Sequence, residues 1–371
     1  MKKNTLTKLT NKNLFLPCPS NINAMWSFGS ILSICLMTQI ITGLFLSMHY
    51  CPDISMAFYS VNHITRDTNL GWFIRSLHAN GCSMIFLIMY IHISRNIYFN
   101  SFSLKATWNS GIMILFMMMA TAFIGYVLPW GQMSFWGASV ITNLISSIPY
   151  IGNYTVSWVW GGFSVNNATL NRFFSLHFLL PFMMILFIMI HLLFLHETGS
   201  SNPIGVNSNI DKLPFHPFFT TKDLIGFFLM IFLLIILSLL SPMMFNDPEN
   251  FIPANPMATP PHIQPEWYFL FAYTILRAIP NKLGGVIALI LSILLLFSLP
   301  LTSSITIQSN KFYPLNKFMI WLFIMNILLL TWIGMMPVQF PYINIGMVTS
   351  FIHFLFFLLY PLMTFMWNKI N

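Results

Sequence analysis

The sequence predicts an all-α integral membrane protein with eight transmembrane helices. Three observations carry that expectation. Of 371 residues, 57% are hydrophobic and only 6% are charged, whereas a soluble domain carries roughly a quarter of its residues as charges. A bilayer core requires about 20 apolar residues per helix, and eight such stretches occur. Lysine and arginine also fall mainly in alternate connections, as a membrane topology requires.

In chain order, the first twenty residues, "MKKNTLTKLTNKNLFLPCPS", lack the apolar core of a signal peptide and form a basic tail. The spans then read as 28–48, 72–93, 108–128, 173–193, 224–243, 284–302, 317–335 and 345–366. Asp53, Pro129 and Pro242 bracket several of them, and the last boundary lies near "GMMPVQFPYINIG". Even parity places both termini on one side. Lys2, Lys3, Lys8, Lys12, Arg95, Lys105, Lys212, Lys222, Lys311, Lys317 and Lys369 then face inward, against Arg66, Arg75, Arg172, Arg277 and Lys282 outward. Three outward connections are long, 49–71, 129–172 and 244–283, and long connections carry function or short helices of their own. The second contains "GQMSFWGASVITNLISSIPYIGN", apolar enough to lie along the membrane surface. The third ends in "PPHIQPEWYFLFAYTILRAIPNK".

The net charge of +8 does not indicate nucleic-acid binding, because the cations are scattered over short loops rather than gathered into a stripe. Cys18, Cys35, Cys51 and Cys82 form no CxxC pair and read as packing thiols.

Polar residues inside the spans are the informative ones. His78 and His92 lie fourteen residues apart in the second span, "HANGCSMIFLIMYIH"; His177 and His191 repeat that spacing in the fourth, "HFLLPFMMILFIMIH". Fourteen residues rise about 21 Å over almost four turns, so each pair shares a helix face at two depths. The two spans run in the same direction, which sets His78 level with His177 and His92 level with His191. Two imidazoles aimed at one point suit the axial positions of a b-type haem. Gly29 and Gly43 in the first span, and Gly111 and Gly125 in the third, repeat the fourteen-residue interval. These antiparallel spans put Gly29 and Gly111 at the level of His92 and His191, and Gly43 and Gly125 at the other level. Glycine lets backbone approach the edge of a flat macrocycle. Taken singly, each histidine could be a satisfied polar group and each glycine a packing residue; the shared register favours a four-helix bundle around two stacked haems.

With these residues in hand, the chain resembles the mitochondrial cytochrome b family, the haem-bearing core subunits of ubiquinol–cytochrome c reductase. The marks are the paired histidines, "GYVLPWGQMSFWGA" (125–138), "FLHETGSSNP" (194–203), "DKLPFHP" (211–217) and "PEWY" (265–268), and the likeness covers nearly the whole chain. It implies a low-potential haem on His78 and His177, a high-potential haem on His92 and His191, and propionate partners in Arg75 and Arg95. It implies a haem-binding region over 1–205 and, over 206–371, a region completing two quinone sites. Glu266 would take a proton from ubiquinol near the outer face, in a pocket with Pro265, Tyr268, Tyr126, Phe123, Gly137 and Ile141. His196, Ser200, Lys222 and Asp223 would bind ubiquinone near the inner face, with Ser27 standing where many relatives carry asparagine. The resemblance further implies a Rieske iron–sulfur protein and a cytochrome c1-type subunit as partners, a dimeric complex, and a mitochondrial inner membrane location with both termini in the matrix.

Two other functions fit parts of the pattern. A two-haem transmembrane reductase would need a donor polypeptide, since no GxGxxG unit follows a strand here. A proton-coupled transporter would show inverted repeats, and no repeated half is present.

Overall fold

The computed structural model describes residues 16–302 and 309–370; the predicted inward lysines Lys2, Lys3, Lys8 and Lys12 lie outside them. Eight helices are long and apolar enough to cross a membrane. They are α1 (Phe28–Ser47), α3 (Gly71–Tyr98), α4 (Lys105–Val127), α7 (Asn167–Thr198), α8 (Phe215–Leu240), α10 (Lys282–Leu294, prolonged by further turns to Thr302), α11 (Pro314–Gly334) and α12 (Tyr342–Ile370). The short helices α2 (Ala57–Arg66), α5 (Gln132–Asn143), α6 (Gly152–Trp160) and α9 (Leu270–Ala278) fall in the three long connections.

Every predicted span is present, but several helices run past the apolar stretch that announced them. α3 continues to Tyr98 and α7 to Thr198. A helix satisfies its own backbone groups, so it has no reason to stop where the oil does. It stops where local chemistry ends it. Asn100 follows α3 with φ of 52°, a left-handed conformation that asparagine tolerates. At the start of α7, Asn166 and Thr169 form a reciprocal capping box.

The lipid-facing surface is made by the spans themselves. On α7, Leu176, Leu179, Leu186, Met189 and Leu193 are all exposed, as expected for a helix apolar on every side. Inside, α1 packs along α3 and α4 along α7. The largest core cluster draws on both halves of the chain, with Ile31, Phe86, Leu115, Met184, Met230, Leu296 and Tyr360 among its members. Trp108 donates its indole N–H to the Leu296 carbonyl across that junction, at 2.8 Å. Between α11 and α12, Asn316 bonds Thr364 and Asn326 bonds the Thr349 carbonyl, polar links that hold helices together where oil gives no net drive.

The three long connections gather at one end of the bundle. Tyr50 reaches the Leu128 carbonyl, Gln132 the Ala258 carbonyl, and Lys282 the Ser146 hydroxyl. At the opposite end, strand β1 (Pro17–Pro19) pairs antiparallel with β2 (Lys212–Pro214), and the connection after α3 meets that after α7 through Ser101 and Ser201.

Candidate functional site

Helix packing brings the four sequence-predicted histidines to two levels and sets each on a glycine. A Cβ at Gly29 would lie 3.4 Å from the His92 ring, one at Gly43 3.1 Å from His78, and one at Gly111 3.1 Å from His191. At Gly125 it would overlap the His177 ring. The glycines therefore do more than admit the edge of a macrocycle: each leaves the space that an imidazole from the neighbouring helix occupies.

His78 and His177 face each other with ring centres 6.2 Å apart and planes at 85°. A metal about 2 Å from each nitrogen, the usual metal–imidazole length, sets two facing rings about 6 Å apart. Their Nδ1 atoms point away, into hydrogen bonds. His177 Nδ1 lies 2.9 Å from the Thr121 carbonyl, which can only accept. His78 Nδ1 lies 2.9 Å from Thr42 Oγ1, and that hydroxyl already donates to the Thr38 carbonyl. His191 Nδ1 lies 2.9 Å from Ser110 Oγ, which likewise donates to the Thr107 carbonyl. In all three the proton is drawn to Nδ1 and Nε2 is left bare, the tautomer that binds a metal. His92 differs. Its Nδ1 faces Arg95 Nη2 at 3.5 Å, and a guanidinium offers no acceptor.

The surroundings fit an anionic macrocycle. Arg95 is buried, stacks its guanidinium 5.0 Å from the Trp26 ring centre, and forms no ion pair with any described residue. Arg95 Nε, Trp26 Nε1 and Thr107 Oγ1 are buried without partners among the described residues at the His92–His191 level, and such groups are costly unless something meets them. At the other level a cavity of about 560 Å³ is lined by His78, His177, Gly43, Gly125, Gln39 and Arg75, within the usual range of cofactor and ligand pockets, about 300–1,000 Å³. Two b-type haems would thus be held by His78 with His177 and by His92 with His191.

Beside that cavity lies a much smaller one, of about 20 Å³, lined by Phe123, Tyr126, Gly137, Ile141, Pro265 and Glu266 among others. These are the residues predicted from the sequence for the quinol pocket, apart from Tyr268. A Cβ at Gly137 would meet nothing within 4 Å, so this glycine keeps the wall open. Tyr126 and Glu266 border both cavities. Burial lifts the Glu266 carboxyl to about 7; Asp247 adds to the rise, while the Tyr126 hydrogen bond and the Arg75 charge restrain it. Tyr268 joins Tyr126 and Glu266 on the larger cavity only. It is buried, stacked 4.1 Å from Phe86, and within 3.5 Å of the Cys82 thiol on the larger cavity's wall.

The predicted inner cluster assembles in part. Ser27 and Ser30 lie beside the Asp223 carboxylate, and Lys222 donates to the Ile22 carbonyl at 3.2 Å. His196 is exposed at the end of α7, and neither it nor Ser200 makes a side-chain hydrogen bond to a described residue. Thr42, Ser110, Thr121 and Trp26 are functional candidates that sequence reasoning passed over. Two carried a signal, since Thr42 and Ser110 each directly precede one of the register glycines.

The family model described as cytochrome b/b6/petB matches residues 14–199, and that described as cytochrome b (C-terminal)/b6/petD matches residues 253–354. Among solved structures, a chain of a hyperthermophilic respiratory complex III is similar with a TM-score of 0.92 and 31% identity, covering 98% of this chain and 97% of that one.

Proposed function

We propose, from the premise that this chain belongs to the cytochrome b family, that it is the membrane-embedded electron-transfer core of a quinol–cytochrome c reductase. The observation that carries the proposal is the pair of opposed imidazoles, His78 and His177, with ring centres 6.2 Å apart and glycine behind each. Bound haem would supply one-electron carriers at two depths, on His78 with His177 and on His92 with His191. Arg95 and Arg75 would meet the propionates, charge-assisted contacts that a buried guanidinium requires.

Ubiquinol is oxidised at the end of the bundle where the long connections gather, and ubiquinone is reduced at the opposite end. At the first site Glu266 accepts a quinol proton, with the Tyr126 hydroxyl holding its carboxylate in place. Gly137 and Ile141 shape the pocket wall, with Phe123 and Pro265. At the second, Asp223 and Lys222, supported by Ser27, deliver protons to the reduced quinone, with His196 and Ser200 at the pocket's edge. One quinol electron would reach the ubiquinone at the opposite end by way of haems held by His78 with His177 and then by His92 with His191. With protons released at one face and taken up at the other, that crossing moves charge across the membrane without a proton channel. The first site faces outward, since Arg95, Lys105, Lys212 and Lys222 mark the opposite end as the inner one. An iron–sulfur partner of Rieske type takes the other quinol electron, alongside a cytochrome c1-type subunit, in a dimeric complex of the mitochondrial inner membrane.

The test is quinol oxidation by membranes carrying the assembled complex. Glu266→Gln is expected to slow turnover by about 100-fold to 10,000-fold, the usual contribution of a general base, with both b-type absorption bands retained. Unchanged turnover in that variant would remove Glu266 from the mechanism. Absence of b-type bands from the parent complex would remove the function itself.

A further inference from the structure

Ser134, near the start of α5, is fully buried and sits where three segments meet. Its hydroxyl lies 2.8 Å from the Tyr126 carbonyl at the end of α4 and 2.9 Å from Asn250 Oδ1 in the third connection. Its backbone N–H donates to the same Oδ1 at 2.9 Å. An N–H can only donate, so the Asn250 amide must present its oxygen to Ser134. That oxygen is already served, leaving the single hydroxyl proton for the Tyr126 carbonyl. Around this node the two connections are clasped together. Gln132 N–H bonds the Ile252 carbonyl, Ala254 N–H the Trp130 carbonyl, and Asn255 N–H the Gln132 side chain. Gly131 is required here, because a Cβ would overlap Asn250.

We infer that Ser134, through Asn250, is a positioning residue that sets the Tyr126–Glu266 pair. Tyr126 is held from its carbonyl side, and Glu266 leaves the clasped connection eight residues after Ala258, whose carbonyl accepts from Gln132. The clasp therefore fixes both partners of the proton acceptor from one point, without touching substrate. The inference rests on the quinol-oxidising role given above. The charged and titratable groups facing Glu266 are Tyr126 from α4, Arg75 from α3, Asp247 from the third connection, and the Cys82 and Tyr268 side chains beyond. Of these, Tyr126 alone is bonded to Ser134 itself, while the Asp247 carbonyl accepts from the Asn250 N–H at 3.1 Å. Freeing Tyr126 removes a hydrogen bond that favours the carboxylate, so Glu266 would need a higher pH to ionise.

The experiment compares Ser134→Ala, Asn250→Ala and the double variant in the assembled complex, following quinol kcat/KM against pH beside the b-type spectrum. Ser134→Ala is expected to keep both haem bands and to lower kcat/KM near neutral pH by about three- to tenfold, the weight of one hydrogen bond. Its acid limb moves to higher pH, and the double variant loses little beyond the larger single loss, because the two residues act as a unit. An unshifted acid limb in Ser134→Ala would overturn the inference, as would losses that simply multiply in the double variant. If Ser134→Ala does not assemble, Asn250→Ala decides, since it removes the acceptor of the Ser134 N–H and so frees the segment that presents the hydroxyl to the Tyr126 carbonyl. Failure of both to assemble would make the clasp a scaffold and also refute the inference. A parent complex that oxidises no quinol would instead refute the reading of the site; an active parent with an unmoved Ser134→Ala profile refutes this inference alone.

Discussion

At Gly125 a single methyl group decides whether an imidazole fits, since a Cβ there would overlap the His177 ring, whereas one at Gly29 would stand 3.4 Å from His92. Gly125→Ala is therefore expected to deplete the haem at the His78–His177 level, Gly43→Ala and Gly111→Ala to weaken retention less, and Gly29→Ala least. Haem content per polypeptide across the four variants measures this, and an equal effect at all four would contradict it. Glu266 yields an expectation for pH. Its carboxyl, raised by burial to about 7, accepts protons only when ionised, so quinol oxidation should climb through about pH 7 and level off above it. Glu266→Gln should erase that limb. The register of histidines and glycines was legible in the sequence because helical rise is fixed, so a spacing of fourteen converts directly into depth. Thr121 was not, and Thr42 and Ser110 showed only by preceding register glycines, because their role depends on which helix leans on which. Tyr268 was placed by its neighbours in "PEWY"; the structure stacks its ring on Phe86, on the larger cavity that Glu266 also borders.

Pairs of helices are the units that hold the two levels. α1 lies along α3 and α4 along α7, so each histidine is seated by its neighbouring helix and opposed by an imidazole from the other pair. Each level should then fail separately. His191→Leu is expected to abolish the haem at the His92–His191 level and spare the one at the His78–His177 level, read as loss of one of two b-type components in a reduced-minus-oxidised spectrum. Recovery of both components would break the proposed ligand pairing. Spans were legible as elements because oil admits few polar residues. Their ends were less so: α3 and α7 extend into polar sequence, where the hydropathic signal fades while the helix continues. The apolar second connection was expected along the membrane surface. It folds into α5 and α6, and Tyr150, Tyr154 and Trp158 are exposed, side chains suited to the boundary between oil and water.

Across the whole molecule, the two ends differ in construction. One carries the clasped long connections, the two cavities and Glu266; the opposite end carries the β1–β2 pair, Ser27, Lys222 and Asp223. On the proposed function, substrate oxidation and reduction would thereby be kept at separate faces, with two levels of paired histidines between them. The cation bias gave a direction to this asymmetry from the sequence, whereas the clasp between residues 130–134 and 250–258 lay hidden, because it joins segments more than a hundred residues apart through backbone groups and the Gln132, Ser134 and Asn250 side chains, whose partners no spacing reveals. A redox titration of the b-band absorbance in the purified complex bears most directly on the paired-histidine arrangement. Two one-electron components of equal amplitude are expected, corresponding to two haems per chain; a single component, or none, would contradict it.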